Sequence, residues 1–225
     1  MGDHAARAAG TPYARLFWDL DGTLTDPREG IVRSAAAALA RLGGSVDPAL
    51  LDRFIGPPLA RSFRTYGGLD ADEAALAVRY YRERYEAVGW RENRLVPGID
   101  ALLADLGRAG VRMAVATVKP RPTAERILAM FGLLSYFERV HAPEVAEIGM
   151  DKGEVLGRAV GGRIWPGPGR AAMIGDHEDD MRAARHWGLA GIAVLYGYGD
   201  RQALMDASPV ATAADVAALR ALLTP

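Results

Sequence analysis

Cysteine is absent from this chain of 225 residues, and histidine occurs only four times. Without cysteine the protein can form no disulfide, no thiolate nucleophile and no cysteine-ligated zinc site. The histidines stand at positions 4, 141, 177 and 186, without the spacing that zinc ligands show. The sequence therefore gives no support for thiol or zinc chemistry.

An excess of charge of one sign is also lacking, because 27 basic residues stand against 28 acidic ones, a net charge of −1. A nearly neutral chain offers no electrostatic basis for nucleic acid or an anionic membrane as a partner. No apolar run approaches the roughly 18 residues that a membrane span needs. Residues 1–10 lack the apolar segment of a signal peptide, so we expect a flexible tail there and a cytoplasmic protein.

Three common active-site motifs are missing as well. No Gly-Lys dipeptide occurs, so there is no phosphate-binding loop of the Walker type. None of the five serines lies in the Gly-x-Ser-x-Gly pattern of many hydrolase nucleophiles. No Gly-x-Gly-x-x-Gly follows a predicted strand, which argues against a dinucleotide-binding site.

What the chain does contain is an alternation of short apolar strands and amphipathic helices. Strands are predicted at 15–18, 111–117, 171–175 and 191–195, with a further short strand around Val140. Helical patterns separate the later strands, at 99–109, 122–130, 152–160 and 179–187. This alternation predicts an α/β protein with a Rossmann-like, doubly wound parallel sheet.

The first predicted strand stands apart from the others, because a purely helical block of about 70 residues follows it. Helical patterns occupy 31–42, parts of 50–66, and 71–88. We therefore predict a core formed by residues 11–26 and 97–225, with an α-helical domain inserted at 27–96.

Aspartates follow the predicted strands at their carboxyl ends. Asp19 and Asp21 follow the first strand, and Asp176 and Asp180 follow the strand at 171–175. In a parallel sheet these ends lie at one edge, where such proteins form their sites. Several carboxylates in one crevice repel each other unless a cation such as Mg²⁺ binds them, which favours phosphoryl chemistry. Each aspartate taken alone is also typical of a helix cap or turn.

Lysine is rare in this chain, since arginine supplies 25 of the 27 basic residues. The two lysines are Lys119 and Lys152. Either they survive by chance, or they mark places where a compact ammonium is needed and a planar guanidinium does not fit.

Four segments resemble the motifs of the haloacid dehalogenase superfamily of phosphatases. Residues 19–26 (DLDGTLTD) resemble its opening motif, and residues 116–120 (ATVKP) its second. Lys152, within DKGEVL, matches the third motif, and residues 174–180 (IGDHEDD) match the fourth. The segments 56–59, 97–99 and 196–199 are similar to the phosphoglycolate phosphatase-like and 5′-nucleotidase-like members, which carry an α-helical cap. The resemblance runs from about residue 14 to the C-terminus.

The resemblance implies catalytic roles. Asp19 is the expected nucleophile, which forms an aspartyl-phosphate, and Asp21 the acid and base that serves the leaving group and then water. Thr117 is expected to donate its hydroxyl to the phosphate, and Lys152 to neutralise charge on the nucleophile and the transferring group.

The same resemblance implies the ligands of the metal and the phosphate. Mg²⁺ is expected on Asp19, Asp176 and the main-chain carbonyl of Asp21, with Asp180 as an alternate ligand or a supporting residue. The expected phosphate or substrate contacts are Gly22, Thr23, Thr117, Val118, Lys119, Gly56 and Arg61.

Two parts of the motifs leave questions open. Val118 stands where relatives commonly have a small polar residue, so one hydrogen bond at this position is expected to be missing. In the fourth motif we expect His177 to be a surface residue or a helix cap rather than a ligand. Glu178 and Asp179 either face the metal or lie exposed at the helix start.

The resemblance implies an Mg²⁺-dependent phosphatase that hydrolyses a small phosphomonoester, such as phosphoglycolate, a nucleoside monophosphate or a sugar phosphate. A β-phosphoglucomutase-type transfer is one alternative, and a non-enzymatic phospho-accepting or binding protein on the same fold is another. A phosphonate hydrolase needs a lysine in its cap, and residues 27–96 contain none. The expected partner is a small phosphorylated metabolite, and the protein is expected to be a monomer or a homodimer.

Overall fold

The computed structural model describes residues 11–147, 149–165 and 170–224. The predicted tail, 1–10, lies outside the described residues. The chain divides into two compact units, one that runs up to Leu24 and resumes at Leu95, and one that comprises Thr25–Arg94. The predicted insert, 27–96, starts and ends two residues later than this second unit, and its role as a cap stays a prediction.

The described ranges contain eight strands and nine α-helices. The strands are β1 (Arg15–Trp18), β2 (Thr25–Asp26), β3 (Arg94–Leu95), β4 (Arg112–Ala116), β5 (Val140–His141), β6 (Ala171–Gly175), β7 (Ala190–Val194) and β8 (Ala211–Ala213). The helices are α1 (Arg28–Arg41), α2 (Leu59–Thr65), α3 (Ala71–Ala87), α4 (Ile99–Arg108), α5 (Arg121–Met130), α6 (Lys152–Ala159), α7 (Glu178–His186), α8 (Arg201–Asp206) and α9 (Val216–Leu223).

Six strands form one parallel sheet in the order β5-β4-β1-β6-β7-β8. Helices flank this sheet, so the predicted α/β, Rossmann-like fold is confirmed. The strand order reverses direction at β1, between β4 and β6. Ligands of open α/β sheets bind beyond the carboxyl ends of the strands at such a reversal.

The centre of the sheet is fully apolar on both faces, as a sheet covered by helices requires. In β1 the side chains of Leu16, Phe17 and Trp18 are 1%, 0% and 0% exposed. Phe17 packs with Met173 of β6 in a cluster that also takes apolar residues from α6 and α7. These two helices therefore cover one face of the sheet and lie next to the strands that end at the aspartates.

The helical unit has a core of its own, built on aromatic side chains. The rings of Phe54 and Phe63 meet edge to face at 5.1 Å, and Tyr81 stacks on Tyr85 at 5.4 Å. Helix α3 starts with a capping box, in which Asp70 and Glu73 each accept a main-chain N–H from the other. Packing and capping together account for the helical character predicted for this block.

Short strands are the elements that the sequence patterns missed. Strands β2 and β3 have two residues each and form a small two-stranded sheet, and β8 has three residues. A period of two cannot be recognised in segments of this length. None of the helices within the described residues is long and apolar enough to span a membrane.

Candidate active site

The sheet register brings the predicted site residues to one edge. Trp18, the last residue of β1, lies between Val115 of β4 and Ile174 of β6. The next residue, Asp19, donates its main-chain N–H to the carbonyl of Ile174 at 2.9 Å. Thr117 and Asp176 follow β4 and β6 directly, so both emerge beside Asp19.

Three buried carboxylates gather at this edge. Asp19, Asp176 and Asp180 are 8%, 5% and 0% exposed. Each residue contributes one carboxylate oxygen to a set of three oxygens that lie within 4.8 Å of one another. The predicted metal-ligating side chains are therefore brought together, although whether they bind a metal stays a prediction.

Lys152 is the cation at the centre of this cluster. Its Nζ lies 2.7 Å from Oδ1 of Asp19 and 2.8 Å from Oδ1 of Asp180, and it donates to the carbonyl of Ala116 at 3.1 Å. Burial alone would lower the pKa of Lys152, but the two carboxylates outweigh burial and hold it above its ordinary value. The lysine is therefore charged and has three oxygen partners.

The negative charge of the cluster exceeds what one lysine neutralises. The pKa of Asp176 is raised to about 7, mainly by burial and to a smaller extent by the charges of Asp19 and Asp180. Burial also raises the pKa of Asp180, against the opposing effect of Lys152. Three carboxylates near one ammonium form an all-oxygen donor set with surplus charge, which fits a hard cation such as Mg²⁺.

A second lysine holds the second aspartate of the first motif. Nζ of Lys119 lies 2.5 Å from Oδ2 of Asp21, and the two side chains are 8% and 24% exposed. Burial raises the pKa of Asp21, and the charge of Lys119 opposes that rise. Both lysines of the chain thus lie at this site, which favours the functional explanation of their rarity over chance.

The loop after β4 places Thr117 in the site and Val118 at its surface. Thr117 is 2% exposed, donates its N–H to the carbonyl of His141 at 3.0 Å, and accepts the N–H of Lys119 on its hydroxyl at 3.3 Å. Val118 is 43% exposed. Its side chain has no hydrogen-bonding group, and the hydrogen bond expected to be missing here stays a prediction.

Gly22 and Thr23 both contact Asp176. The backbone of Gly22 has φ of +78°, and a Cβ there would overlap the Asp176 carboxylate. The hydroxyl of Thr23, which is fully buried, donates to Oδ1 of Asp176 at 3.5 Å. The resemblance implied a phosphate contact at Gly22, which stays a prediction; the structure adds that the missing Cβ makes room for the Asp176 carboxylate.

Gly56 and Arg61 are the remaining predicted substrate contacts. Gly56, with φ of +100°, forms the turn before α2, and Arg61 is an exposed residue of α2. Both belong to the helical unit, and their contact with substrate stays a prediction. His177 caps α7, as expected, and accepts the N–H of Asp179, which is exposed.

Sequence reasoning gave no role to the segment 196–199 (YGYG), which follows β7. The main-chain N–H of Tyr198 donates to Oδ2 of Asp176 at 2.8 Å, and the hydroxyl of Tyr196 donates to the carbonyl of Thr23 at 3.0 Å. One feature of the sequence could have pointed to this segment, namely the two glycines at 197 and 199, which shortly follow β7.

Comparison with known proteins places these residues in a family context. A family model described as haloacid dehalogenase-like hydrolase matches residues 16–194. A 5′-nucleotidase from Pseudomonas aeruginosa is 40% identical, and the match covers 96% of this chain and 98% of that protein.

Two further relatives are similar over most of this chain. The tyrosine-protein kinase PtkA from Mycobacterium tuberculosis is 41% identical, over 86% of this chain and 66% of its own length. The crystal structure of a predicted phosphatase from Clostridium acetobutylicum is 35% identical, with a TM-score of 0.83 over 93% of this chain and 97% of that one.

Proposed function

The chain belongs to the haloacid dehalogenase-like hydrolases and is a phosphatase, and we propose that it hydrolyses a small phosphomonoester through an aspartyl-phosphate on Asp19, with Mg²⁺ as cofactor. One observation carries the proposal. Two aspartates, two positions apart, are held by two different lysines, Asp19 by Lys152 and Asp21 by Lys119. In such a pair, one carboxylate can act as the nucleophile and the other as the acid and base.

Asp19 supplies the nucleophile. Lys152 holds Oδ1, so Oδ2 is the oxygen that attacks phosphorus. The Oδ2–P bond forms while the bond from phosphorus to the leaving oxygen breaks, and water later cleaves the acyl phosphate. The hydroxyl of Thr117 and the ammonium of Lys152 stabilise negative charge on the phosphoryl oxygens.

Asp21 moves the protons. Its burial raises its pKa, so it can carry a proton to the leaving oxygen in the first step. In the second step the carboxylate takes a proton from the attacking water. The ion pair with Lys119 holds the carboxylate in one orientation between the steps.

Asp19, Asp176, Asp180 and the carbonyl of Asp21 would hold Mg²⁺. When bound, the ion neutralises charge on the carboxylates and the phosphate. The support for this metal is the cluster of three buried carboxylates around one ammonium, in which burial, and then the charges of Asp19 and Asp180, raise the pKa of Asp176 to about 7.

A nucleoside monophosphate is the first substrate to examine, because the 5′-nucleotidase relative matches along nearly the whole chain. Phosphoglycolate and sugar phosphates complete the proposed class. The kinase-named relative supports a second candidate, in which the phosphoryl group passes from Asp19 to a protein hydroxyl instead of water.

The test is phosphate release from a panel of these esters, with Mg²⁺ and with EDTA. Asp19→Asn should abolish release, and Asp21→Asn should lower kcat by about 10²–10⁴-fold. Asp179→Asn is the matched control, because Asp179 is exposed and lies one position from Asp180.

Other outcomes identify the alternatives. Normal phosphate release by Asp19→Asn would contradict the mechanism. Conversion of β-glucose 1-phosphate into glucose 6-phosphate without release would identify a mutase. A phosphorylated tyrosine after incubation with a phosphoryl donor would favour transfer to protein, and a stable adduct on Asp19 without turnover would indicate a phospho-accepting protein.

A further inference from the structure

The segment 196–199 packs closely against Asp176, and we propose that it is a positioning element that fixes this carboxylate for Mg²⁺. The proposal rests on the proposed function, since it concerns how the same site is held. In this proposal, contacts with the protein hold Oδ2 of Asp176 in place, and Oδ1 is the oxygen that is free to bind the cation.

Asp176 differs from its two acidic neighbours in what holds it. Asp19 and Asp180 share the ammonium of Lys152. Within 11–147, 149–165 and 170–224, no lysine or arginine forms an ion pair with Asp176. The shortest hydrogen bond to its side chain among the described residues comes instead from the main-chain N–H of Tyr198, which donates to Oδ2 at 2.8 Å.

The close approach of the segment depends on glycine. A Cβ on Gly197 would overlap the Asp176 side chain, and a Cβ on Gly199 would overlap the main-chain oxygen of the same residue. On another side, a Cβ on Gly22 would overlap the carboxylate, closest to Oδ2. Gly22 and Gly197 therefore enclose Oδ2, the oxygen that Tyr198 binds.

The segment is also tied to the loop that carries the proposed nucleophile. The hydroxyl of Tyr196 donates to the main-chain carbonyl of Thr23 at 3.0 Å, and the Thr23 hydroxyl makes a long contact of 3.5 Å with Oδ1 of Asp176. These contacts connect the ends of β1, β6 and β7. Among the hydrogen bonds of the described residues, Oδ1 takes part only in this long Thr23 contact, which leaves it available as a ligand.

This arrangement solves a physical problem of the site. Repulsion from Asp19 and Asp180 would turn an untethered Asp176 carboxylate away from the cluster. A fixed N–H donor and tight glycine packing keep the carboxylate in place before the metal arrives, so binding costs less reorganisation.

The experiment is isothermal titration of the full-length protein with MgCl₂ in the absence of substrate. Gly197→Ala should weaken Mg²⁺ binding by roughly 10–100-fold, as loss of a supporting contact does. Gly107→Ala is the matched control, because the nearest atom to a Cβ there lies at 3.9 Å. The control should bind Mg²⁺ like the wild type.

Tyr196→Phe is a second variant for the same titration, and it tests the proposal even if Gly197→Ala fails to fold. It removes one hydroxyl and should weaken Mg²⁺ binding by about 2–12-fold, the value of one hydrogen bond. Wild-type Mg²⁺ affinity in the folded variants would overturn the positioning role, even if the wild type hydrolyses phosphomonoesters. Weaker Mg²⁺ binding by the variants would support it, even if the wild type releases no phosphate and the proposed function fails.

Discussion

Nζ of Lys119 lies 2.5 Å from Oδ2 of Asp21, although 98 positions separate the two residues. Because Lys119 is nearly buried, the contact is a charge-assisted hydrogen bond shielded from water, which makes it stronger than an exposed ion pair. The pair therefore fixes the orientation of the group that we propose as acid and base.

Removal of this ion pair should slow the proton-transfer steps. We expect Lys119→Met to lower kcat by about 10–100-fold on an alkyl phosphate, part of the 10²–10⁴-fold that an acid–base group supplies. The loss should be smaller with p-nitrophenyl phosphate, whose leaving group needs little protonation. Steady-state kinetics with both esters measure the difference, and equal losses on both would contradict the assigned role.

Lys119→Arg is the control that keeps the charge, and it should recover activity only in part, because a planar guanidinium does not replace a compact ammonium.

His141 should make the protein less stable in mild acid. Burial, and then the charges of Arg139, Arg15 and Arg121, lower its pKa from 6.5 to about 4. Between these values the unfolded chain binds a proton at this histidine that the folded protein does not, so the contribution of His141 lowers the free energy of unfolding as the pH drops from about 6.5 to 4. Urea unfolding at pH 7 and pH 5 measures this contribution as the difference between the wild type and a His141→Gln variant.

The comparison variant for this effect is His141→Gln, which should lose less stability between pH 7 and pH 5 than the wild type. His186→Gln, on the exposed side of α7, should keep the wild-type loss. An NMR titration that finds His141 protonating near pH 6.5 in the folded protein would contradict the prediction.

Gly22→Ala should cost both stability and activity, for two separable reasons. The positive φ costs roughly 1–2 kcal/mol for any residue with a Cβ, and the new methyl group would also displace the Asp176 carboxylate. Gly110 has nearly the same φ, +77°, with nothing within 4 Å of a Cβ. Gly110→Ala should therefore lose similar stability but keep full phosphatase activity. Urea unfolding measures the stability, and steady-state kinetics measure the activity. A fully active Gly22→Ala variant would contradict the steric argument.

The fold could be predicted from the sequence because its larger elements carry clear periodic patterns. The strands at 15–18 and 171–175 were predicted at their observed bounds. Strand β8 was missed because three residues at a sheet edge depend on pairing with β7, which no local pattern records.

The site was predictable only in part, and for a similar reason. Asp19 and Asp176 follow buried strands, so the parallel sheet alone implies that they meet. The partner of Lys119 could not be read from the sequence, because the contact depends on how two loops fold over the sheet edge. The N–H of Tyr198 could not be predicted from its residue type either, since any residue but proline has a main-chain donor; only the glycines on both sides of it mark the segment.

Lys152 gives the sharpest test of the charge balance in the site. Lys152→Met would leave Asp19 and Asp180 buried without their common cation, which typically costs about 3–5 kcal/mol of stability. Mg²⁺ should then raise the melting temperature of this variant more than that of the wild type, because the ion replaces part of the missing charge. Scanning calorimetry with and without MgCl₂ measures both effects.

A second substitution separates stability from catalysis. Asp180→Asn removes one of the two carboxylates that Lys152 holds, so the double variant Lys152→Met/Asp180→Asn should be more stable than Lys152→Met alone. It should nevertheless stay inactive, because no ammonium remains to stabilise the transferring phosphoryl group. If the double variant were no more stable than Lys152→Met, unpaired charge would not explain the loss. If it regained phosphatase activity, Lys152 would have a structural role only, and its proposed stabilisation of the transferring phosphoryl group would have to be abandoned.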